Sequence, residues 1–370
     1  MKKRIFFFIL SLSVTLFGMA QNIDTLPSDS TKNHQETSFQ DSIANLNLLQ
    51  KQLKLSRDAY NEGIQLFELK NFFDAINRFN KAIELDSLFV AAYFNRGVCF
   101  SALFDYEKAI SDFTTTSELD NSNYLSLFKR AEIYRVLNKN TLALSDYKKI
   151  IELDAQNYKS YYEIGVLMYL QNNINQAIEM YSNTINIKAT ANAYNDRASS
   201  YRKLKQYDKA ISDYEKAIAL DDGLAFVYNN LAAIYRLKED KQKALNNYNI
   251  AIEKNPDYDV AYNNRGRLYF ELEDYIAAAS DFNQAIALNP KYTLAYNNRG
   301  ITHHKNKDYV AAISDFDKAI ALDKNYAKAF LNRAISKQMH RDEEGACADW
   351  EEANRLGIQL AKKYLMNDCY

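Results

Sequence analysis

The sequence predicts an all-α fold in which helical hairpins follow one another along the chain as an α-solenoid. The residues AYNNRG occupy Ala261–Gly266 and return at Ala295–Gly300, 34 positions later. Small residues align with the last glycine of this motif nine times, at intervals of 33 or 34 residues. Only 9 Gly and 3 Pro occur in 370 residues, so a β-sandwich or barrel with many tight turns is disfavoured.

Residues 1–20 are predicted to form an export signal. Three basic residues precede an apolar run of 13 residues from Ile5 to Phe17, and small side chains follow it where a signal peptidase cuts. A run of 13 is short for a membrane-spanning helix, so we expect cleavage, with retention as an anchor as the alternative. The expected location is the periplasm, cell envelope or medium of a bacterium. Residues 21–40 are polar and are expected to form a flexible tether.

Nine copies of the repeating unit follow the tether. Twelve residues after the small position every copy has Ala, and four residues later every copy has an aromatic residue. Small side chains let two helices approach closely, and an aromatic ring one turn later fills the space beside them. Each copy is therefore predicted to form two antiparallel helices. The predicted boundaries are 41–55 for an N-terminal capping helix, 56–89, 90–123, 124–157, 158–190, 191–224, 225–258, 259–292, 293–326 and 327–360 for the copies, and 358–370 for a C-terminal capping helix.

This pattern resembles the tetratricopeptide repeat over about residues 56–360. The seventh copy shows the motif as Tyr262, Arg265, Gly266, Tyr269, Ala278, Phe282 and Pro290. The third and fourth copies depart most from it, and the closing proline occurs only at Pro256 and Pro290. The resemblance implies a right-handed superhelix whose first helices line a concave groove and whose second helices form the convex face. It also implies that the groove binds a segment of another protein.

An arginine precedes the small residue in six copies, and each of those copies has an aspartate sixteen residues later. The first copy exchanges the charges, with Glu62 and Arg78, and the fourth has Ile164 and Met180 instead. Because the two positions change together, we predict structural ion pairs within each copy, with ligand binding by the arginines as the alternative. The predicted pairs are Arg96–Asp112, Arg130–Asp146, Arg197–Asp213, Arg265–Asp281, Arg299–Asp315 and Arg333–Asp349.

Asparagines recur at two adjacent positions of the motif, although asparagine is a poor helix former. An amide can both donate to and accept from a peptide backbone, and some tetratricopeptide proteins have such an amide ladder. We expect the ladder to hold an extended partner segment. The alternative is that these amides bond within the scaffold. The candidate asparagines are Asn229, Asn230, Asn263, Asn264, Asn297, Asn298 and Asn332.

Aromatic and basic side chains complete the predicted groove. The aromatic candidates are Tyr60, Phe94, Phe128 and Tyr162, and the basic candidates are Arg202, Arg236 and Arg267. An elongated partner with an apolar anchor and a polar or acidic stretch would fit such a surface. Packing between repeats is the alternative for each of the aromatic residues.

The cysteines predict one disulfide bond. Cys347 lies ten residues before Gly357 and Cys369 lies twelve residues after it. Two antiparallel helices joined near Gly357 would therefore bring the thiols to the same level, and an oxidising compartment would let them bond.

No feature of the sequence predicts an enzyme, a cofactor or a metal site. The chain has no glycine-rich phosphate loop, CxxC, HExxH or nucleophile elbow, and it has only 4 His. A net charge of −1 gives no electrostatic reason to expect nucleic acid as a partner.

The predicted function is that of an exported scaffold whose concave groove binds an extended segment of a partner protein. One alternative is a structural spacer or assembly factor within a cell-envelope complex, acting through the convex surface. Another is an accessory subunit of an enzyme or of glycan processing. No membrane span is expected after the signal is cleaved.

Overall fold

A computed structural model describes residues 29–369, with side chains from Ser38 onward. The described residues form nineteen α-helices and a final π-helical turn, Leu365–Cys369, and include no β-strand. The chain divides into two compact units, one ending at Lys139 and one beginning at Asn140. The predicted signal, residues 1–20, lies outside the described residues, as do residues 21–28 of the predicted tether.

The first unit contains five helices, and each packs against the next through a short turn. They are α1 (Asp29–Glu68), α2 (Phe72–Leu85), α3 (Val90–Ala102), α4 (Tyr106–Leu119) and α5 (Tyr124–Val136).

The second unit continues the same alternation of helices, again with each helix packed on the next. Its helices are α6 (Asn140–Leu153), α7 (Tyr158–Leu170), α8 (Ile174–Ile187), α9 (Ala191–Lys203), α10 (Tyr207–Leu220), α11 (Ala225–Leu237), α12 (Lys241–Lys254), α13 (Asp259–Glu271), α14 (Tyr275–Leu288), α15 (Thr293–Lys305), α16 (Tyr309–Leu322), α17 (Ala327–Met339), α18 (Glu343–Arg355) and α19 (Gln359–Tyr364).

The turn between the two helices of a copy contains a residue with a left-handed backbone in every copy. In copy seven, Glu273 has a left-handed backbone (φ 61°) and ends the first helix. The side chain of Asp274 then accepts a hydrogen bond from the backbone N–H of Ala277 at 3.0 Å, which caps the second helix. A left-handed residue recurs at this turn in each copy, as Lys70, Phe104, Asn138, Asn172, Lys205, Glu239, Glu273, Lys307 and Arg341.

In the copies that have glycine at the small position, the core contains a close contact between that glycine and one aromatic ring. The alanines twelve residues after the small position are fully buried in all nine copies, and the aromatic side chains that follow are only 0–2% exposed. At Gly266 a Cβ atom would lie 2.9 Å from Cε1 of Phe282, so the ring occupies the space that the missing side chain leaves. The all-α repeat fold predicted from this pattern is confirmed.

The N-terminal helix differs from the expectation. Helix α1 runs unbroken over 40 residues, so residues 29–40 of the predicted tether are helical, and the predicted cap at 41–55 continues directly into the first helix of copy one. No Gly or Pro separates the cap from the repeat, and nothing therefore turns the chain back. Ile43, Leu46 and Leu49, which a capping helix would bury, are 39–50% exposed.

The C-terminal end is covered by a short helix and a disulfide bond. Gly357, with φ 96°, turns the chain after α18, and the ring of Tyr364 stacks on Trp350 at 5.1 Å between centroids. Leu365 is buried against the same cluster. Cys347 and Cys369 are bonded, with their Cα atoms 5.8 Å apart. Among the described residues, no helix has the length and apolar character needed to cross a bilayer.

Replacing both Cys347 and Cys369 with serine is expected to lower the free energy of unfolding by about 3 kcal/mol, because the bond closes a loop and restricts the unfolded chain. Urea unfolding of the variant and the parent measures the difference. Dithiothreitol should destabilise the parent by the same amount and leave the variant unchanged. Equal stability of the oxidised parent and the variant would contradict this expectation.

Candidate functional site

The candidate site lies on the first helices of copies five to nine, which are α9, α11, α13, α15 and α17. The first helices of successive copies contact one another directly. The two adjacent asparagine positions of the repeat lie at these contacts. We call the asparagines at these two positions in copies five to nine the amide row; they are Asn195, Asn229, Asn230, Asn263, Asn264, Asn297, Asn298 and Asn332.

Hydrogen bonds inside the amide row join each copy to the one before it. In copy seven, Asn264 Nδ2 donates to Asn229 Oδ1 of copy six at 3.0 Å. The other three bonds repeat this geometry as Asn230 to Asn195 at 3.1 Å, Asn298 to Asn263 at 2.9 Å and Asn332 to Asn297 at 3.0 Å. The amides therefore bond within the scaffold, as the alternative interpretation of the sequence held.

The two asparagine positions differ in exposure. Asn229, Asn263 and Asn297 are buried, whereas Asn230, Asn264, Asn298 and Asn332 are partly exposed. The first three were expected to contact a partner, but their side chains point at the next first helix, and the structure assigns them to the scaffold. The partly exposed asparagines each keep an Oδ1 that accepts no hydrogen bond from any described residue.

The N-terminal copies make the same contact with different residues. Asn95 Nδ2 donates to the hydroxyl of Tyr60 at 2.8 Å, and the Tyr162 hydroxyl donates to Asp196 Oδ2 at 2.7 Å. The four predicted aromatic groove residues are partly buried. Three of them pack against other rings, with distances between ring centroids of 4.8 Å for Tyr60–Phe89, 5.6 Å for Phe94–Phe113 and 5.8 Å for Tyr162–Tyr181. Packing between and within repeats is thus their main role in this structure.

The three predicted groove arginines have different surroundings. Arg236 forms an ion pair with Glu271 across successive first helices, so its charge is already compensated. Arg202 is partly exposed and Arg267 is exposed, and neither has an ion-pair partner among the described residues. Arg267 is therefore a cation of the second unit that remains open to a partner.

A column of tyrosines beside the amide row was missed from the sequence. Burial raises the pKa of Tyr292 to about 12, and the nearby charge of Arg267 partly offsets this. Burial also raises the pKa of Tyr326, and Arg267 again acts in the opposite direction. These phenols therefore stay protonated beside an exposed guanidinium. The signal was present in the sequence, because Tyr258, Tyr292 and Tyr326 recur at intervals of 34 residues.

Where a copy has arginine before the small residue, other side chains of the scaffold bind that arginine. In copy seven, Arg265 donates from Nε to Asp281 Oδ2 at 2.8 Å and from Nη2 to Asp281 Oδ1 at 2.7 Å. Its Nη1 donates to Asn249 Oδ1 of the preceding copy at 2.8 Å. The same double contact with aspartate occurs at Arg96–Asp112, Arg197–Asp213, Arg299–Asp315 and Arg333–Asp349. These arginines are structural, and the contact with the preceding copy was not foreseen.

No group of His, Cys, Asp or Glu suited to a metal ion occurs among the described residues. His304 bonds through Nδ1 to the hydroxyl of Ser336 at 2.9 Å, and burial lowers its pKa. His303 lies on the same helix with Nε2 3.8 Å from Asp315. Both histidines are thus part of the packing between helices.

Comparisons with known proteins identify the repeat. Two family models, both described as tetratricopeptide repeat, match residues 189–254 and residues 60–123 and 263–327, which together are more than half of the chain. A search of curated proteins gave no match.

Several solved structures resemble the fold. The C-terminal part of a TPR repeat-containing protein from Cytophaga hutchinsonii is 22% identical, with TM-score 0.54, and the match covers 65% of this chain and 98% of that one. A tetratricopeptide repeat protein from Parabacteroides merdae is 18% identical, with TM-score 0.54, over 66% of this chain and 98% of that one. A chain of the APC/C hetero-tetramer Cut9–Hcn1 is 16% identical, with TM-score 0.53, over 87% and 86%. These likenesses show an all-α repeat solenoid, and with the family matches and the nine aligned copies they establish that the chain belongs to the tetratricopeptide repeat family.

Proposed function

We propose that this protein is an exported scaffold that holds an extended segment of a partner protein along the first helices of copies five to nine. Tetratricopeptide repeats indicate a protein–protein interaction scaffold. The observation that supports this surface is the amide row, where Asn230, Asn264, Asn298 and Asn332 each donate from Nδ2 to the preceding copy and keep an Oδ1 that accepts from no described residue. The predicted signal segment supports export, and the disulfide bond suits an oxidising compartment.

The spacing of the amide row suits an extended chain. Helices in contact lie about 8–10 Å apart, and an extended chain advances about 3.3 Å per residue. One asparagine would therefore meet every third residue of a partner segment. An amide oxygen accepts a hydrogen bond from a backbone N–H, which every residue except proline supplies. Binding through the amide row would therefore depend little on the partner's sequence.

The partner segment is expected to carry an acidic residue near copy seven. Arg267 is exposed and has no ion-pair partner among the described residues. Its charge partly offsets the rise in pKa of Tyr292 and Tyr326, so both protonated hydroxyls lie near the guanidinium. A carboxylate placed there would gain a charge-assisted hydrogen bond. The amide row would then set the direction of the segment, and Arg267 would set its register.

Photo-cross-linking tests where the partner binds. Benzoylphenylalanine at position 301, which is the copy-eight equivalent of position 267 and is partly exposed, samples the first-helix face and leaves Arg267 in place. The same residue at position 310 samples the second helix of copy eight. We expect a cross-linked partner from position 301 and none from position 310. The reverse result would favour the other candidate, a spacer or assembly factor that acts through the second helices. That candidate has some support, because Ile276 and Val310 are 84% and 63% exposed there.

Replacing Asn264 and Asn298 with alanine is expected to weaken binding of the captured partner roughly 10–100-fold, since two hydrogen bonds of about 0.5–1.5 kcal/mol each are lost. Isothermal titration calorimetry with the purified partner measures the change. The matched control is Asn229 and Asn263 to alanine, which breaks the same two bonds between copies but keeps both exposed amides. Equal losses of affinity in the two double variants would exclude the amide row as the binding surface.

A further inference from the structure

The N-terminal part of α1 carries an apolar stripe that no described residue covers. Phe39, Ile43, Leu46 and Leu49 are each 39–50% exposed, and at 100° per residue they lie along one side of the helix. Leu53 extends the stripe and is partly buried where the helix reaches copy one. This segment precedes the first repeat and is separate from the amide row.

A helix of this composition is not expected to persist uncovered in water. Ser, Asn and Asp, which are poor helix formers, occupy many positions between Ser38 and Asn47. Most helices in proteins gain their stability from burying an apolar face rather than from intrinsic propensity. The stripe therefore needs a partner surface, and no described residue supplies one.

The sequence of the stripe matches itself when it is reversed about Leu46. Residues at equal distances on the two sides of Leu46 match in polarity in six pairs, and the seventh pair is an acid with a base. The pairs are Asn45 with Asn47, Ala44 with Leu48, Ile43 with Leu49, Ser42 with Gln50, Asp41 with Lys51, Gln40 with Gln52, and Phe39 with Leu53. In a two-fold antiparallel pair, residue i of one copy meets residue j of the other and j meets i, so the apolar pairs of the stripe can face each other across the axis.

We propose that two copies of this chain associate through an antiparallel pairing of α1, with the two-fold axis at Leu46. In this arrangement Phe39 of each copy packs against Leu53 of the other, and Ile43 packs against Leu49. Asp41 and Lys51 are the only charged residues between Phe39 and Leu53, and at 100° per residue both lie about 140° from the middle of the stripe, so the pairing buries no charge. The repeats begin at Ser56, ten residues or about 15 Å from the axis, and the two bodies lie at opposite ends.

Cysteine cross-linking of the full chain tests the pairing on a clean background. Cys347 and Cys369 are bonded, and Cys99 is buried with its pKa raised to about 12, so the parent presents no reactive thiol among the described residues. Under mild oxidation with copper phenanthroline, Leu46→Cys is expected to form a covalent dimer. The control Leu48→Cys, on the opposite side of the helix, is expected to stay monomeric on a non-reducing gel.

The direction of the pairing has its own test. A mixture of Phe39→Cys and Leu53→Cys chains should cross-link to each other, whereas Phe39→Cys alone should not. Light scattering should give a dimer mass for the parent and a monomer mass for Leu46→Glu, and circular dichroism of the variant should lose at most the helical signal of the uncovered N-terminal part of α1. A monomeric parent, or cross-linking of Leu48→Cys as fast as Leu46→Cys, would overturn the proposal. Self-cross-linking of Phe39→Cys would replace the antiparallel arrangement with a parallel one.

Discussion

Replacing Arg299 with alanine is expected to lower the free energy of unfolding by about 3–5 kcal/mol. Arg299 donates from Nε and Nη2 to the two oxygens of Asp315, at 2.8 and 2.5 Å, and Asp315 is buried. The hydrogen bonds to Asp315 raise the pKa of the Arg299 guanidinium, and loss of Arg299 would leave the buried carboxylate with only His303 Nε2 nearby, at 3.8 Å. Urea unfolding followed by circular dichroism measures the change.

Copy one supplies the matched control for this prediction. Glu62 and Arg78 occupy the same two positions with the charges exchanged, at 3.1 Å, but their side chains are 53% and 54% exposed. Water solvates both groups when the pair is broken, so Glu62→Ala should cost only about 0–1 kcal/mol. If the Glu62 and Arg299 variants lose equal stability, burial of the aspartate is not what makes the contact important.

Copy four suggests a double substitution that should restore the stability lost in Arg299→Ala. It has Ile164 and Met180 where the other copies have the charged pair, and both are accommodated within the repeat. Introducing Ile at position 299 together with Met at position 315 is therefore expected to recover most of the stability that Arg299→Ala loses, since a buried ion pair can be exchanged for apolar side chains at little cost. A double variant no more stable than the single one would contradict the account.

The ion pairs could be predicted because two positions of one chain change together, and the copies act as a set of natural variants. The contact from Arg265 Nη1 to Asn249 of the preceding copy was harder to foresee. Its partner position holds Asn80, Asn249 and Asn283 but also Asp317 and Ser182, which shows only that the position is polar. A contact between copies depends on the rotation that relates one copy to the next, and the amino-acid sequence does not give this rotation directly.

The unknown rotation between copies also explains why the buried asparagines were not distinguished from the partly exposed ones. Asn263 and Asn264 are adjacent, so their side chains diverge by about 100° on a helix, and the pattern does not tell which one faces the neighbouring helix. The N-terminal cap differs for another reason. The sequence predicts an amphipathic helix at 41–55, and this segment is part of one continuous helix. Whether such a helix folds back onto the repeats depends on a turn, and the sequence around Ser56 contains no turn residue.

Replacing Phe316 with alanine is also expected to cost about 3–5 kcal/mol. Phe316 is fully buried in copy eight, where its ring fills the space beside Gly300 of the preceding helix. Truncating the ring removes apolar surface and leaves a cavity that the close-packed helices cannot collapse to fill. Chemical unfolding measures the loss. A cost no larger than that of a surface substitution would show that the buried ring does not hold the two helices of the copy together.

The neighbouring glycine shows whether Phe316 acts through packing or through some other property of the ring. A Cβ at Gly300 would lie 2.7 Å from Cε1 of Phe316, so Gly300→Ala should destabilise the parent by about 1–3 kcal/mol through overpacking. In the Phe316→Ala background that clash is absent, and the better helix propensity of alanine should make the same substitution stabilising by about 0.5–1 kcal/mol. The sign of one substitution thus depends on one ring. Additive effects in this double-mutant cycle would mean that Gly300 and Phe316 do not pack against each other.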